Sequence, residues 1–132
     1  MEDKAGPDRF VMVCDHSSLI RVEWQPRLDV TTEDARNLLV RLEELSPNEC
    51  RPMLVQLNGM ASLSRDALRA FATRLNVSAL ALVGPSGVDR LIAKFFLDVH
   101  APGYPSRYFE EEKEARQWLA KPFAPDSPAL QA

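Results

Sequence analysis

The stretch Val77-Ser78-Ala79-Leu80-Ala81-Leu82-Val83-Gly84-Pro85-Ser86-Gly87 decides the fold. From Val77 to Val83 the run is apolar almost without alternation. A strand with one wet face alternates, whereas a strand covered on both faces does not, and covered strands belong to parallel α/β sheets. Gly84-Pro85-Ser86-Gly87 then breaks the run and opens a helix. Ser86 with Asp89 three residues on resembles a capping box, with Asp in place of Glu. The apolar residues of that helix, Val88, Leu91, Ile92, Phe95, Phe96 and Val99, cover more than half its circumference.

Reading outward from this unit, the same alternation of strand and helix recurs. Upstream, Met53 to Leu57 is a strand and Asn58-Gly59 a turn. Ser62 or Ser64 caps a helix whose inner face is Leu68, Phe71, Ala72 and Leu75. Before that, Thr31 or Thr32 caps a helix carrying Ala35, Leu38, Leu39, Leu42 and Leu45 at three- and four-residue spacing, with Glu33 and Asp34 at the positive end of its dipole. Phe10 to Cys14 and Leu19 to Trp24 flank a polar turn and form an antiparallel hairpin. Downstream, Arg107 to Phe109 is a short fifth strand, and Glu110, Glu111 and Glu112 open a last helix with Ala115, Trp118 and Leu119 inside. The order β-β-α-β-α-β-α-β-α implies an α/β fold: a mixed sheet of about five strands, antiparallel at the first hairpin and otherwise mostly parallel, with about four helices.

Length and composition agree with one domain. The chain has 132 residues, 45% of them apolar, and 16 basic residues against 19 acidic ones give a net charge of −3. Residues 1–8 and the Pro-rich 122–132 are expected to be flexible tails around a single domain over 9–121. The acidic balance argues against nucleic acid as a partner. No apolar run approaches the roughly 18 residues of a membrane span. The polar start lacks the apolar segment of a secretory signal, so a cytoplasmic location is expected. Cys14 and Cys50 are too few for a disulfide scaffold or a cysteine-built zinc site.

This order resembles the STAS fold of bacterial anti-sigma-factor antagonists and the related SEC14-like lipid-binding folds. More narrowly, it resembles an uncharacterised actinobacterial family of small STAS/SEC14-like proteins. The resemblance rests on Arg65-Asp66-Ala67-Leu68-Arg69-Ala70-Phe71, on Ala79 to Val83, on Ile92 to Leu97, and on Phe109, Ala115, Trp118 and Leu119. It spans about Phe10 to Leu119. Antagonists of this class carry a phosphorylatable Ser or Thr at the start of the helix after the third strand, in an Asp-containing Ser/Thr-Gly signature. The matching stretch here is Leu57-Asn58-Gly59-Met60-Ala61-Ser62-Leu63-Ser64, so Ser62 and Ser64 are the candidate regulatory residues that the resemblance implies. The strand-end Asp and the Gly after the serine are absent here, and helix capping is the expected role of both serines.

No other motif carries chemistry. Gly84 to Gly87 lies where open α/β sheets bind ligands, but it has neither the P-loop Gly-Lys-Ser/Thr nor dinucleotide spacing. Asn58 and Ser86, at two strand–helix junctions, are candidate ligand or partner positions. Arg90 and Lys94 lie four residues apart on one helix face and suit an anion or an acidic partner. His16 and His100 have no ligand at metal spacing, so no metal or other cofactor is expected. The apolar surplus of the third helix, assigned to Phe96 and Leu97, predicts a homodimer with that helix near the interface. The expected function is a non-enzymatic regulatory or protein-interaction domain of STAS-like type. The alternative is a SEC14-like carrier or sensor of a small apolar ligand, which a continuous apolar cavity would favour.

Overall fold

A computed structural model describes residues 9–15, 18–47, 49–99 and 103–120. The expected tails, His16 and His100 lie outside the described residues. The elements run β1 (Phe10–Cys14), β2 (Ile20–Trp24), β3 (Asp29–Val30), α1 (Thr32–Leu45), β4 (Arg51–Gln56), β5 (Ser62–Leu63), α2 (Arg65–Arg74), β6 (Val77–Val83), α3 (Gly87–Val99), β7 (Ser106–Phe109) and α4 (Glu112–Leu119). Five strands form one sheet in the order β1-β2-β4-β6-β7. The β1–β2 pair is antiparallel and the other three pairs are parallel. The expected architecture is thus the observed one. Unforeseen was a two-residue parallel ladder, β3 with β5, which ties the approach to α1 to the approach to α2.

The register explains why β6 lacks alternation. One cross-sheet row reads Met12, Val22, Val55, Leu82 and Tyr108; the next reads Val13, Arg21, Leu54, Ala81 and Arg107. The first row faces α1, α2 and α3, where it joins the larger core with Trp24, Leu38, Leu68 and Phe96. The second faces the back of the sheet. There Leu54, Ala79, Ala81 and Val83 are covered by Ala115, Leu119 and Trp118 of α4. Central strands β4 and β6 are therefore apolar on both sides, while β2 turns Arg21 and Glu23 to the back, where Arg21 meets the start of α4. At the first hairpin, Phe10 meets Trp24 edge-on at 5.1 Å between ring centroids.

Helices α1, α2 and α3 each begin with a side-chain cap, whereas Glu111 at the start of α4 makes none. Thr31 and Asp34 make a full capping box on α1: the Asp34 amide donates to Thr31 Oγ1, and the Thr31 amide donates to Asp34 Oδ2 at 2.9 Å. Arg9 adds both guanidinium contacts, Nε to Oδ1 and Nη2 to Oδ2, and so pins the start of β1 to α1. Burial pushes the Asp34 carboxyl up, but the Arg9 and Thr31 hydrogen bonds outweigh it and leave the group below its ordinary value.

Candidate functional site

The loops at the carboxyl ends of β4 and β6 meet at one corner of the sheet, the place where open α/β sheets accept ligands. Every polar side chain of this corner has an internal bonding partner. Asn58 adopts a left-handed conformation, with φ of 55°, which Asn tolerates better than most residues. Its amide donates to the Trp24 carbonyl at 2.7 Å and to Glu23 Oε2 at 3.3 Å. Ser64, and not Ser62, caps α2: the Ala67 amide donates to its Oγ at 3.1 Å. Ser62 lies in β5 and donates to Asp29 Oδ1 at 2.6 Å. Ser86 caps α3, accepting from the Asp89 amide at 3.0 Å.

Asp89 completes the corner in a way the capping-box expectation does not describe. Its carboxylate does not reach back to its own helix start. It crosses to the neighbouring loop and accepts from the Gly59 and Met60 amides, both at 2.9 Å. The side chain has no exposed surface, and a buried charge is tolerated when such donors surround it. Gly84 makes the crossing possible, since a Cβ there would meet Asp89 Oδ2 at 2.5 Å. Tyr108 closes the other side by donating its hydroxyl to the Gly84 carbonyl. The corner is a clamp holding two loops and the start of α3. Within it the Asn58 side-chain NH2 and the Ser86 Oγ are both spent on contacts inside the chain.

Of the remaining expected positions, Arg90 borders this corner through Tyr108. Arg90 pairs with Glu110 and stacks 5.7 Å from the Tyr108 ring, over a polar cleft that Arg107, Glu114 and Gln117 also line. Lys94 pairs with Asp98 at 2.7 Å along the helix. The two cations thus have carboxylates of their own. Phe96 requires a correction. The sequence places it on an outer surface, but it is 3% exposed and packs among Trp24, Leu80 and Leu82. Leu97 is half-buried against the same core. The outward residues of α3 are Val88, Leu91 and Phe95, exposed by 46%, 67% and 51%. Leu91, Ile92 and Phe95 form one wall of an open groove of about 500 Å³, and Leu63, Arg65 and Leu68 of β5 and α2 form the other.

A second polar cluster, missed by sequence reading, sits on the back of the sheet. Arg21 of β2 donates Nε and Nη2 to the two carboxylate oxygens of Glu112, at 3.0 and 2.9 Å. Gln56 and Arg116 also donate to Glu112, and Arg116 reaches Asp15 at 3.2 Å. The Arg21 guanidinium, helped by Gln56 and Arg116 against partial burial, lowers the Glu112 carboxyl to about 2. The cluster joins β2, β4 and α4. No motif announces it, because Arg21 and Glu112 are far apart in sequence. Among the described residues no group of three or more His, Cys, Asp and Glu is placed to hold a metal ion, and no helix is long and apolar enough to cross a membrane.

A family model described as a domain of unknown function, DUF7793, matches residues 12–122. The chain belongs to that family. The chain is also similar to a crystal structure of an uncharacterised DUF3478-family protein with a SpoIIAA-like fold from Shewanella loihica PV-4. That match has a TM-score of 0.61 and 15% identity, and covers 89% of this chain and 98% of that one. It establishes that this DUF7793 domain has a SpoIIAA-like fold, the STAS-type arrangement the element order resembles. A protein of unknown function from Arthrobacter sp. FB24 is 34% identical, with 85% of this chain and 100% of that chain covered and a TM-score of 0.34. No curated protein matches the chain.

Proposed function

We propose that this DUF7793 domain is a non-enzymatic regulatory or protein-interaction domain that works through the groove between α2 and α3. The observation that carries the reading is the placement of Val88, Leu91 and Phe95 on the outside of α3, with Leu91 and Phe95 lining an apolar groove. Contiguous exposed apolar surface of this kind marks association sites. The charge around it indicates the partner. Arg65 lines the groove and Arg69 follows one turn later on α2. Among the described residues neither makes an ion pair, although the chain as a whole is acidic. A protein segment with apolar anchors and acidic flanks fits this surface.

The interior supports this reading over a ligand carrier. The void between the sheet and α1, α2 and α3 measures about 40 Å³ and is lined by apolar side chains such as Trp24, Phe71 and Ile92. An engineered cavity that admits benzene measures about 150 Å³. The test is a photo-activatable phenylalanine placed at Leu91, with the same label at exposed Glu44 on α1 as control. Expected is one discrete protein captured from Leu91 and not from Glu44, with capture abolished by Arg65→Glu and Arg69→Glu together. Equal capture from both positions, or capture indifferent to the two arginines, overturns the reading.

A further inference from the structure

The sheet ends in two edge strands of opposite character. β7 follows Pro105, carries exposed Arg107 and runs into Glu110 and Glu111. Proline, charge and brevity are the devices by which natural edges refuse another strand. β1 is also short, but it has no proline and no charge within the strand. It reads Phe10-Val11-Met12-Val13-Cys14, and its ladder with β2 runs from Phe10 to Cys14 without a bulge. Among the described residues no strand lies on its outer side. Val11 and Val13 are 63% and 46% exposed, on the part of the back face that α4 leaves uncovered.

We propose that β1 is a self-pairing edge, on which a second copy of this chain lays its own β1 antiparallel about a two-fold axis through Met12. The edge is its own complement in that register. Val11 faces the partner's Val13, Phe10 faces the partner's Cys14, and Met12 faces the partner's Met12. One residue beyond the strand on each side, Arg9 is held by Asp34 and Asp15 by Arg116 of the same chain, so the match across the axis is carried by the apolar side chains. A parallel approach would not close under two-fold symmetry. The two five-stranded sheets become one continuous sheet, and their exposed valines form one row. The homodimer expected from the sequence is thereby seated at β1 and not on α3, which leaves the α2–α3 groove open to a different protein. The two proposals use separate surfaces and fail separately.

Light scattering at micromolar concentration tests the pairing. The expected mass is twice the 14.8 kDa of the chain. Val13→Lys places an unpaired ammonium against the partner's Val11 and should raise the dimer dissociation constant by about tenfold or more, with the circular dichroism spectrum unchanged. Leu91→Glu should leave the dimer intact. Register is tested independently in a Cys14→Ser, Cys50→Ser background, where Val11→Cys mixed with Val13→Cys should form a disulfide-linked dimer faster than either variant alone. A wild-type mass near 14.8 kDa overturns the proposal. So does a dimer that survives Val13→Lys but dissociates with Leu91→Glu, or a mixture that cross-links no faster than its components.

Discussion

Asp89 accepts two amides from a loop that lies 29 and 30 residues away in sequence, and Gly84 owes its lack of a side chain to that carboxylate. Residue identities at this corner were legible as caps and turns; their mutual contacts were not. Two serines close together in sequence could each have capped α2. Ser64 does so because the chain is still extended at Ser62, which pairs in β5 with Asp29. Ser64→Ala should therefore cost about 1 kcal/mol, the usual worth of an N-cap. Ser62→Ala, which removes only an exposed hydrogen bond, should stay within about 0.5 kcal/mol. Chemical denaturation of the two variants checks the order, and equal costs would mean that capping is shared.

At the scale of the element, α3 shows what periodicity resolves and what it leaves open. Phe95 and Phe96 are both apolar and adjacent, about 100° apart on the helix, so an apolar arc this wide does not say which one faces the core. The sheet decides, because Trp24, Leu80 and Leu82 leave a space that Phe96 fills. Phe96→Ala is expected to cost about 3–5 kcal/mol, against less than about 0.5 kcal/mol for Leu91→Ala, measured by urea unfolding. The docking of α4 has an electrostatic part. The Glu112 carboxyl lies near 2 in the folded chain against an ordinary 4.5. A carboxyl held low binds its proton less readily folded than unfolded, so its contribution is complete above about 4.5 and is lost as pH falls toward 2. The urea midpoint of the wild type should fall through that window. Glu112→Gln should lower the midpoint at neutral pH and flatten its dependence between pH 4.5 and 2. An unchanged slope would mean that the Arg21 pair contributes no pH-dependent stability.

At the scale of the molecule, the sheet is packed fully on one face and partly on the other. Three helices cover the first face, while α4 alone covers the back over β4, β6 and β7. Among the described residues, the apolar surface left outside includes the groove on the helical side, the bare strand edge with its two valines, and Val40 and Leu45 on α1. The void of about 40 Å³ between the sheet and α1, α2 and α3 is too small for a lipid, and native mass spectrometry of the purified chain should accordingly show protein mass alone after desalting. A stoichiometric adduct released by organic solvent would restore the carrier reading.

The sequence by itself determined the order and type of the five main strands and four helices, the doubly covered character of β6, and Ser86 as the cap of α3, and it narrowed the cap of α1 to Thr31 or Thr32. These depend on interactions within a few residues, where side-chain spacing and backbone preference act directly. Only the tertiary structure decided that Phe96 is core and Phe95 surface, that Asp89 bonds to another loop, that Arg21 and Glu112 meet, and that β1 is an unprotected edge while β7 is a guarded one. Each of those depends on which distant segments the sheet order brings side by side, and a one-dimensional pattern carries no term for that.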